Sequence, residues 1–440
     1  MLYRRAEPKA LLSRRTFVCM SSAVVLPAWG TPALPGRPWF VTSLPPLAAP
    51  NDPIAPATFL QSGGHPQRAT LAPMERSLHW SRHVLALVVK YQQNPLRAAR
   101  ALSHVQVAMH DAWLHAMRLP RPDDALAEMA AHRAASLMAE QLYANETPGQ
   151  FEAQFAALTA PLPLRQPQQQ TARQIGQRVA DALIARSLRD GAGRVWPLRQ
   201  RPADFPGIWQ PTYPLYAVNP TEAFAPQWKT WLPIAASRYE PPTAWRPGSV
   251  HHQRETREVL DVARALIETQ MRAANNWNLE AGSVTPGGVS AQLAMEELLR
   301  VQAARPPGGS AAAMQSTLPV LAALGVALHD AFVACWRVKL RDWSERPITA
   351  VRREFDPGFA PVLVTPGFPS YVSGHATISA AAAAVLGHFW PAQAARFDGL
   401  AREAAMSRLW GGIHFRSDND EGLRLGQSIG QEVVARLAAA

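Results

Sequence analysis

The chain has 440 residues, 48% of them apolar, enough to bury a large core and too many for a disordered tail. Its 44 Lys and Arg against 33 Asp and Glu give a formal net charge of +11. The arginines are scattered among apolar and acidic neighbours without a basic run, so nucleic acid is excluded as the expected partner.

In chain order, residues 1–33 read as a twin-arginine signal peptide. Ser13-Arg14-Arg15-Thr16-Phe17-Val18 precedes a modestly apolar stretch and small residues ending near Ala33, the layout of an export signal. The expectation is a periplasmic protein. Cleavage would remove Cys19 and leave Cys335, so no intramolecular disulfide is expected, and Cys335, set in an apolar helical pattern, reads as core packing. Residues 34–75, rich in Pro and Gly, read as an irregular tether or wrapping arm.

From 76 to 190 apolar residues recur at spacings of three and four, near 80–118, 124–145, 148–159 and 167–189, which predicts an N-terminal helical bundle. Residues 191–250 form a Pro- and Trp-rich connection whose tryptophans favour packing against the body. Helical patterning resumes over 251–440, near 254–271, 289–303, 316–343, 374–388, 392–410 and 421–438. The fold class is therefore all-α, with two helical bundles. No stretch beyond the N-terminus reaches about 18 uninterrupted apolar residues, so no membrane span and a soluble mature protein are expected. A short echo, Val107 to Trp113 against Val326 to Phe332, is consistent with two related bundles. Within it His110 and His329 sit in apolar surroundings and read as hydrogen-bonded core residues.

Three segments carry chemistry. In a helix expected to end near Pro347, Trp336, Lys339, Trp343 and Arg346 fall on one stripe, which puts two cations where a core would be. Lysine occurs elsewhere only at positions 9, 90 and 229, so Lys339 stands out. Next, Ser373, Gly374 and His375 open an alanine-rich helix. Free N–H groups and the dipole at a helix start favour an anion, and glycine permits close approach. In the third segment, Gly411 and Gly412 stop a helix that carries Arg408 near its end, and His414 precedes Asp418. Asp418 can orient His414 through one ring nitrogen and leave the other as ligand or nucleophile.

Together these segments resemble the superfamily that unites vanadium-dependent haloperoxidases with type 2 phosphatidic-acid phosphatases. Its pattern is Lys, six residues, Arg-Pro; then Pro-Ser-Gly-His; then Ser-Arg, five residues, His, three residues, Asp. Lys339 with Arg346-Pro347, Ser373-Gly374-His375, and Ser407-Arg408 with His414 and Asp418 meet it, with Val372 in place of the family's Pro. A weaker similarity to bacterial haloperoxidase-like members extends over about 80–438, including Asn94 to Trp113 and Asn275 to Gly288.

The resemblance implies two four-helix bundles with the oxyanion site in the C-terminal one. It implies vanadate, or phosphate in the same place, held by Lys339, Arg346, Ser373, Gly374 and Arg408. His414 would bind vanadium or attack phosphorus, and His375 would be the acid or base. Trp336 and Phe368 resemble the aromatic pocket wall of the chloroperoxidase branch. The acidic partner that the family gives its third-block arginine lies shortly before a Thr-Pro pair, here Thr285-Pro286, where Glu280 and Asn278 both remain open. The first expectation is a haloperoxidase acting on hydrogen peroxide and halide. The alternatives are an acid phosphatase that hydrolyses a phosphomonoester through a phosphohistidine, and a non-catalytic phosphate or vanadate binder. A homo-oligomer is left open.

Overall fold

The computed structural model describes residues 37–44, 71–196, 202, 206–233, 239–279, 281–304 and 309–438. The signal-peptide reading and most of the arm lie outside the described residues. Within them the chain is all-α. Five helices come first: α1 Pro73–Lys90, α2 Pro95–Met117, α3 Asp124–Leu142, α4 Gln150–Thr159 and α5 Gln166–Ser187. Eight follow the connection: α6 Val250–Arg264, α7 Glu268–Asn276, α8 Thr285–Ala303, α9 Ser310–Asp342, α10 Pro347–Glu354, α11 Gly374–Phe389, α12 Ala394–Trp410 and α13 Arg416–Ala438. The isolated bridge between Ile208 and Ser344 is the only strand-like pairing among the described residues.

Local chemistry sets several boundaries. The helical pattern near 80–118 is divided into α1 and α2, because Asn94 accepts from the Leu96 and Arg97 N–H groups, both at 3.1 Å, and Pro95 opens the new helix. Asp123 and Ser249 cap α3 and α6 in the same way. The pattern near 254–271 is likewise split between α6 and α7.

The core is continuous. α9 packs against α1, α2, α3, α8, α11 and α13. Over Ala311–Asp342 it is long and apolar enough to cross a membrane, yet its most apolar 18-residue stretch is buried inside the fold. Cys335 lies in this core. The connection is irregular apart from one turn of 3₁₀ helix, and its Trp209 and Trp228 are buried. α13 meets α11 along Gly422, Gly426 and Gly430. A Cβ at these positions would lie 2.8, 2.0 and 2.7 Å from the carbonyl oxygens of Ser373, Thr377 and Ala381. The absence of side chains there lets the two helices approach backbone to backbone, which brings the start of α13 beside the start of α11.

The His-Asp echo has a structural counterpart. Asp111 accepts the Trp39, Phe40 and Val41 N–H groups at 2.8–2.9 Å, and Asp330 accepts those of Trp231 and Leu232 at 2.9 Å. In each case the neighbouring histidine, His110 or His329, places Nδ1 3.1 or 3.0 Å from the carboxylate. Each carboxylate pins a passing irregular segment to its helix.

Candidate functional site

α9 ends at Asp342, earlier than expected. Trp343 turns the chain with φ of 47° and packs near Trp209, so it leaves the stripe. Arg346 does not project from α9 either; it occupies the N-cap position of α10. The short turn 343–346 brings its side chain back to Lys339, and the two cations reach one place from different elements.

Lys339, Arg346 and Arg408 are each 0% exposed. Lys339 Nζ donates to the Pro369 and Ser370 carbonyls at 2.8 and 2.7 Å, which leaves one of its three donors. The Trp336 and Phe368 rings flank it with centroids 5.6 and 5.1 Å away. Burial, aided by Arg346 and opposed by Cys335 and Asp418, pulls its pKa down to about 7. Arg346 donates through Nε to Phe368 O and through Nη1 to Ile413 O, both at 2.8 Å. Its Cζ lies 4.8 Å from the Phe368 ring centroid. Arg408 donates to Ser407 Oγ and to Ala274 O, both at 2.9 Å.

His414 is buried, with Nδ1 2.8 Å from Asp418 Oδ2 and Nε2 3.0 Å from Arg346 Nη1. The guanidinium can only donate, so Nε2 is the lone-pair nitrogen and Nδ1–H points to Asp418. Burial, then Arg346 and Lys339, drive the His414 pKa well below its ordinary value, which keeps the ring neutral. Asp418 Oδ2 also accepts from Ser370 Oγ at 2.5 Å and Phe415 N at 3.1 Å. Burial raises the Asp418 pKa, opposed by Ser370 and Lys339.

Ser373 is the N-cap residue of α11, but its hydroxyl does not cap: Oγ is buried with no hydrogen-bond partner among the described residues. Its N–H donates to Asp418 O at 2.8 Å and ties the second segment to the third. His375 Nε2 lies 2.9 Å from Trp277 O, so Nε2–H donates and Nδ1 is the basic atom. Burial and then Arg408 lower its pKa well below the ordinary value. Trp336 and Phe368 form a joined wall with ring centroids 5.0 Å apart.

These residues fit an oxyanion. A buried lysine with one donor left over, an unused buried hydroxyl and the start of a helix meet at one place, and an anion would satisfy all three.

The family model of the VCPO second helical-bundle domain matches residues 319–395 and 390–440, which contain every site residue above from Trp336 to Asp418. A crystal structure of the first bacterial vanadium-dependent iodoperoxidase is 25% identical with a TM-score of 0.70. The match covers 84% of this chain and 98% of that one. Residues 319–440 thus match the second helical-bundle domain of vanadium haloperoxidases, and the chain shares the fold of their bacterial members. Holo-type and apo-type bacterial vanadium-dependent chloroperoxidases share the fold at 16% and 14% identity, with TM-scores of 0.55 and 0.59. They cover 86% and 84% of this chain and are themselves covered over 94% and 96% of their lengths. No curated protein sequence matches.

The site also has parts that sequence reasoning missed. Ser370 bonds the Asp418 carboxylate, and the end of α7 supplies Ala274 O to Arg408 and Trp277 O to His375. The serine had a signal, its place in the Ser373 segment; the carbonyls had none, because every residue has one. Of the two candidates for the acidic partner of Arg408, Glu280 lies outside the described residues, and the Arg408 bonds given above go to neither.

Proposed function

We propose that the chain is a vanadium-dependent haloperoxidase-like enzyme that oxidises halide with hydrogen peroxide. The observation that carries this reading is His414: a neutral imidazole fixed by Asp418, with its lone-pair nitrogen turned toward Arg346 beside the buried Lys339. Lys339, Arg346, Arg408, Ser373 and the Gly374 N–H would hold vanadate, and His414 would ligate it through Nε2. Bound vanadate supplies the Lewis-acidic centre for hydrogen peroxide. Asp418 holds the His414 tautomer, His375 Nδ1 accepts or returns a proton, and Trp336 with Phe368 keeps water from the cations. The family match and the iodoperoxidase likeness support the same reading.

The test is halide oxidation by the purified protein with hydrogen peroxide and iodide, bromide or chloride, with and without orthovanadate. Vanadate-dependent turnover is expected. Vanadate inhibition of phosphomonoester hydrolysis, without halide oxidation, would instead make the same pocket a phosphatase.

We also propose export to the periplasm, on the strength of Arg14-Arg15 ahead of an apolar stretch and small residues. Fusing residues 1–33 to a reporter should give export that Arg14→Lys with Arg15→Lys abolishes; cytoplasmic retention of the unaltered fusion would refute it.

A further inference from the structure

Asp418, but not His414, lines a small cavity of about 20 Å³. That is room for one water molecule. Asp418, Tyr371, Glu255, Ser417 and Ser344 line it. Tyr371 is 2% exposed, and its hydroxyl has no hydrogen-bond partner among the described residues. Asp418 Oδ2 is saturated by His414, Ser370 and Phe415, which leaves Oδ1 for the cavity. Glu255 on α6 accepts from Ser417 N at 3.0 Å and Ser417 Oγ at 2.7 Å, one residue before Asp418.

We propose that this cavity binds one ordered water that links the Tyr371 hydroxyl and the Glu255 carboxyl to Asp418, making both positioning residues for the His414–Asp418 pair. A buried phenol needs a partner, and a water with two to four polar neighbours satisfies it at little cost. Glu255 closes the chain from the other end. Its carboxyl is pushed up to about 7, first by burial and then by Asp418 and Glu258, against the Ser417 bonds.

The surrounding charges are largely paired. Glu258 is held by Arg416; His252 and Glu345 lie together with Arg353; Arg341 and Asp342 near Tyr371 bond each other. His252, Glu345 and Glu354 have the chemistry of metal ligands, but Arg353 already binds both carboxylates. Asp418 is thus the charge to which a change on Glu255 is passed. Protonated below about pH 7, Glu255 leaves Asp418 as the negative group behind His414. Ionised above it, Glu255 adds a second negative charge that opposes an oxyanion in front.

This inference rests on the oxyanion reading, so its test separates the two. Orthovanadate affinity is measured from pH 5.5 to 8.5 for the wild type, Glu255→Gln and Tyr371→Phe, alongside a high-resolution crystal structure of the wild type. Glu255→Gln keeps an acceptor for Ser417 and removes the ionisation. The wild type is expected to lose roughly threefold to tenfold more affinity than Glu255→Gln as the pH rises, and the crystal to show ordered density bonded to Tyr371 Oη and Asp418. Tyr371→Phe is expected to bring the wild-type pH dependence closer to that of Glu255→Gln. Parallel pH curves for wild type and Glu255→Gln, or a dry cavity, overturn the inference alone. Absence of vanadate binding by the wild type overturns the oxyanion reading and the functional half of this one with it.

Discussion

The molecule contains two kinds of buried His-Asp contact. His329 Nδ1 lies 3.0 Å from Asp330, and His414 Nδ1 lies 2.8 Å from Asp418. Around the first, the carboxylate collects backbone N–H groups from Trp231 and Leu232, and the imidazole is wedged among Trp228, Trp231 and His104. Around the second, the far nitrogen faces Arg346, and Lys339 and Arg408 bear on its ionisation. The pair itself is common to a structural clamp and the candidate centre; what the second imidazole nitrogen faces separates them.

Substitutions can break this comparison. His414→Ala should abolish vanadate-dependent halide oxidation while the folded fraction, followed by circular dichroism, is kept; persisting turnover would make the two pairs equivalent. Asp418→Asn retains the shape but disturbs the tautomer, and should lower vanadate affinity or activity about 10- to 100-fold, measured by titration and steady-state rates. Asp330→Asn should do the reverse. It removes an acceptor from a backbone N–H and should cost about 1–3 kcal/mol of stability in denaturant unfolding, with turnover per folded molecule within about twofold of wild type on the expectation that the clamp is remote from the chemistry.

The candidate site segments were legible because they combine rare residue types with strong local signals: a lysine in an alanine-rich core helix, Ser-Gly-His at a helix start, two glycines before a histidine. The helical class was legible from periodicity. Other parts had a weaker signal or none. Arg346 was placed on the α9 stripe because 336, 339, 343 and 346 match helical spacing, whereas Trp343 adopts a positive φ and ends the helix first. α10 is a single eight-residue helix between turns, too short for its period to stand out. The Asn94-Pro95 break carried its cap and its proline in plain view. Gly422, Gly426 and Gly430 were also visible, but only the approach of α11 gives their spacing a meaning.

The most direct test of the oxyanion pocket is calorimetric titration with orthovanadate at pH 8, in buffers of different ionisation enthalpy, for wild type and Lys339→Met. Burial holds the Lys339 pKa at about 7, so the amine is mostly neutral at that pH, and a bound anion should raise its pKa and draw in a proton. The same depression makes the burial of this side chain most costly to folding below about pH 7, easing as the pH rises toward the ordinary lysine range. The account predicts one site per chain, more proton uptake in wild type than in Lys339→Met, and about 10- to 150-fold weaker binding by the variant. Equal uptake and equal affinity in the two proteins would contradict it.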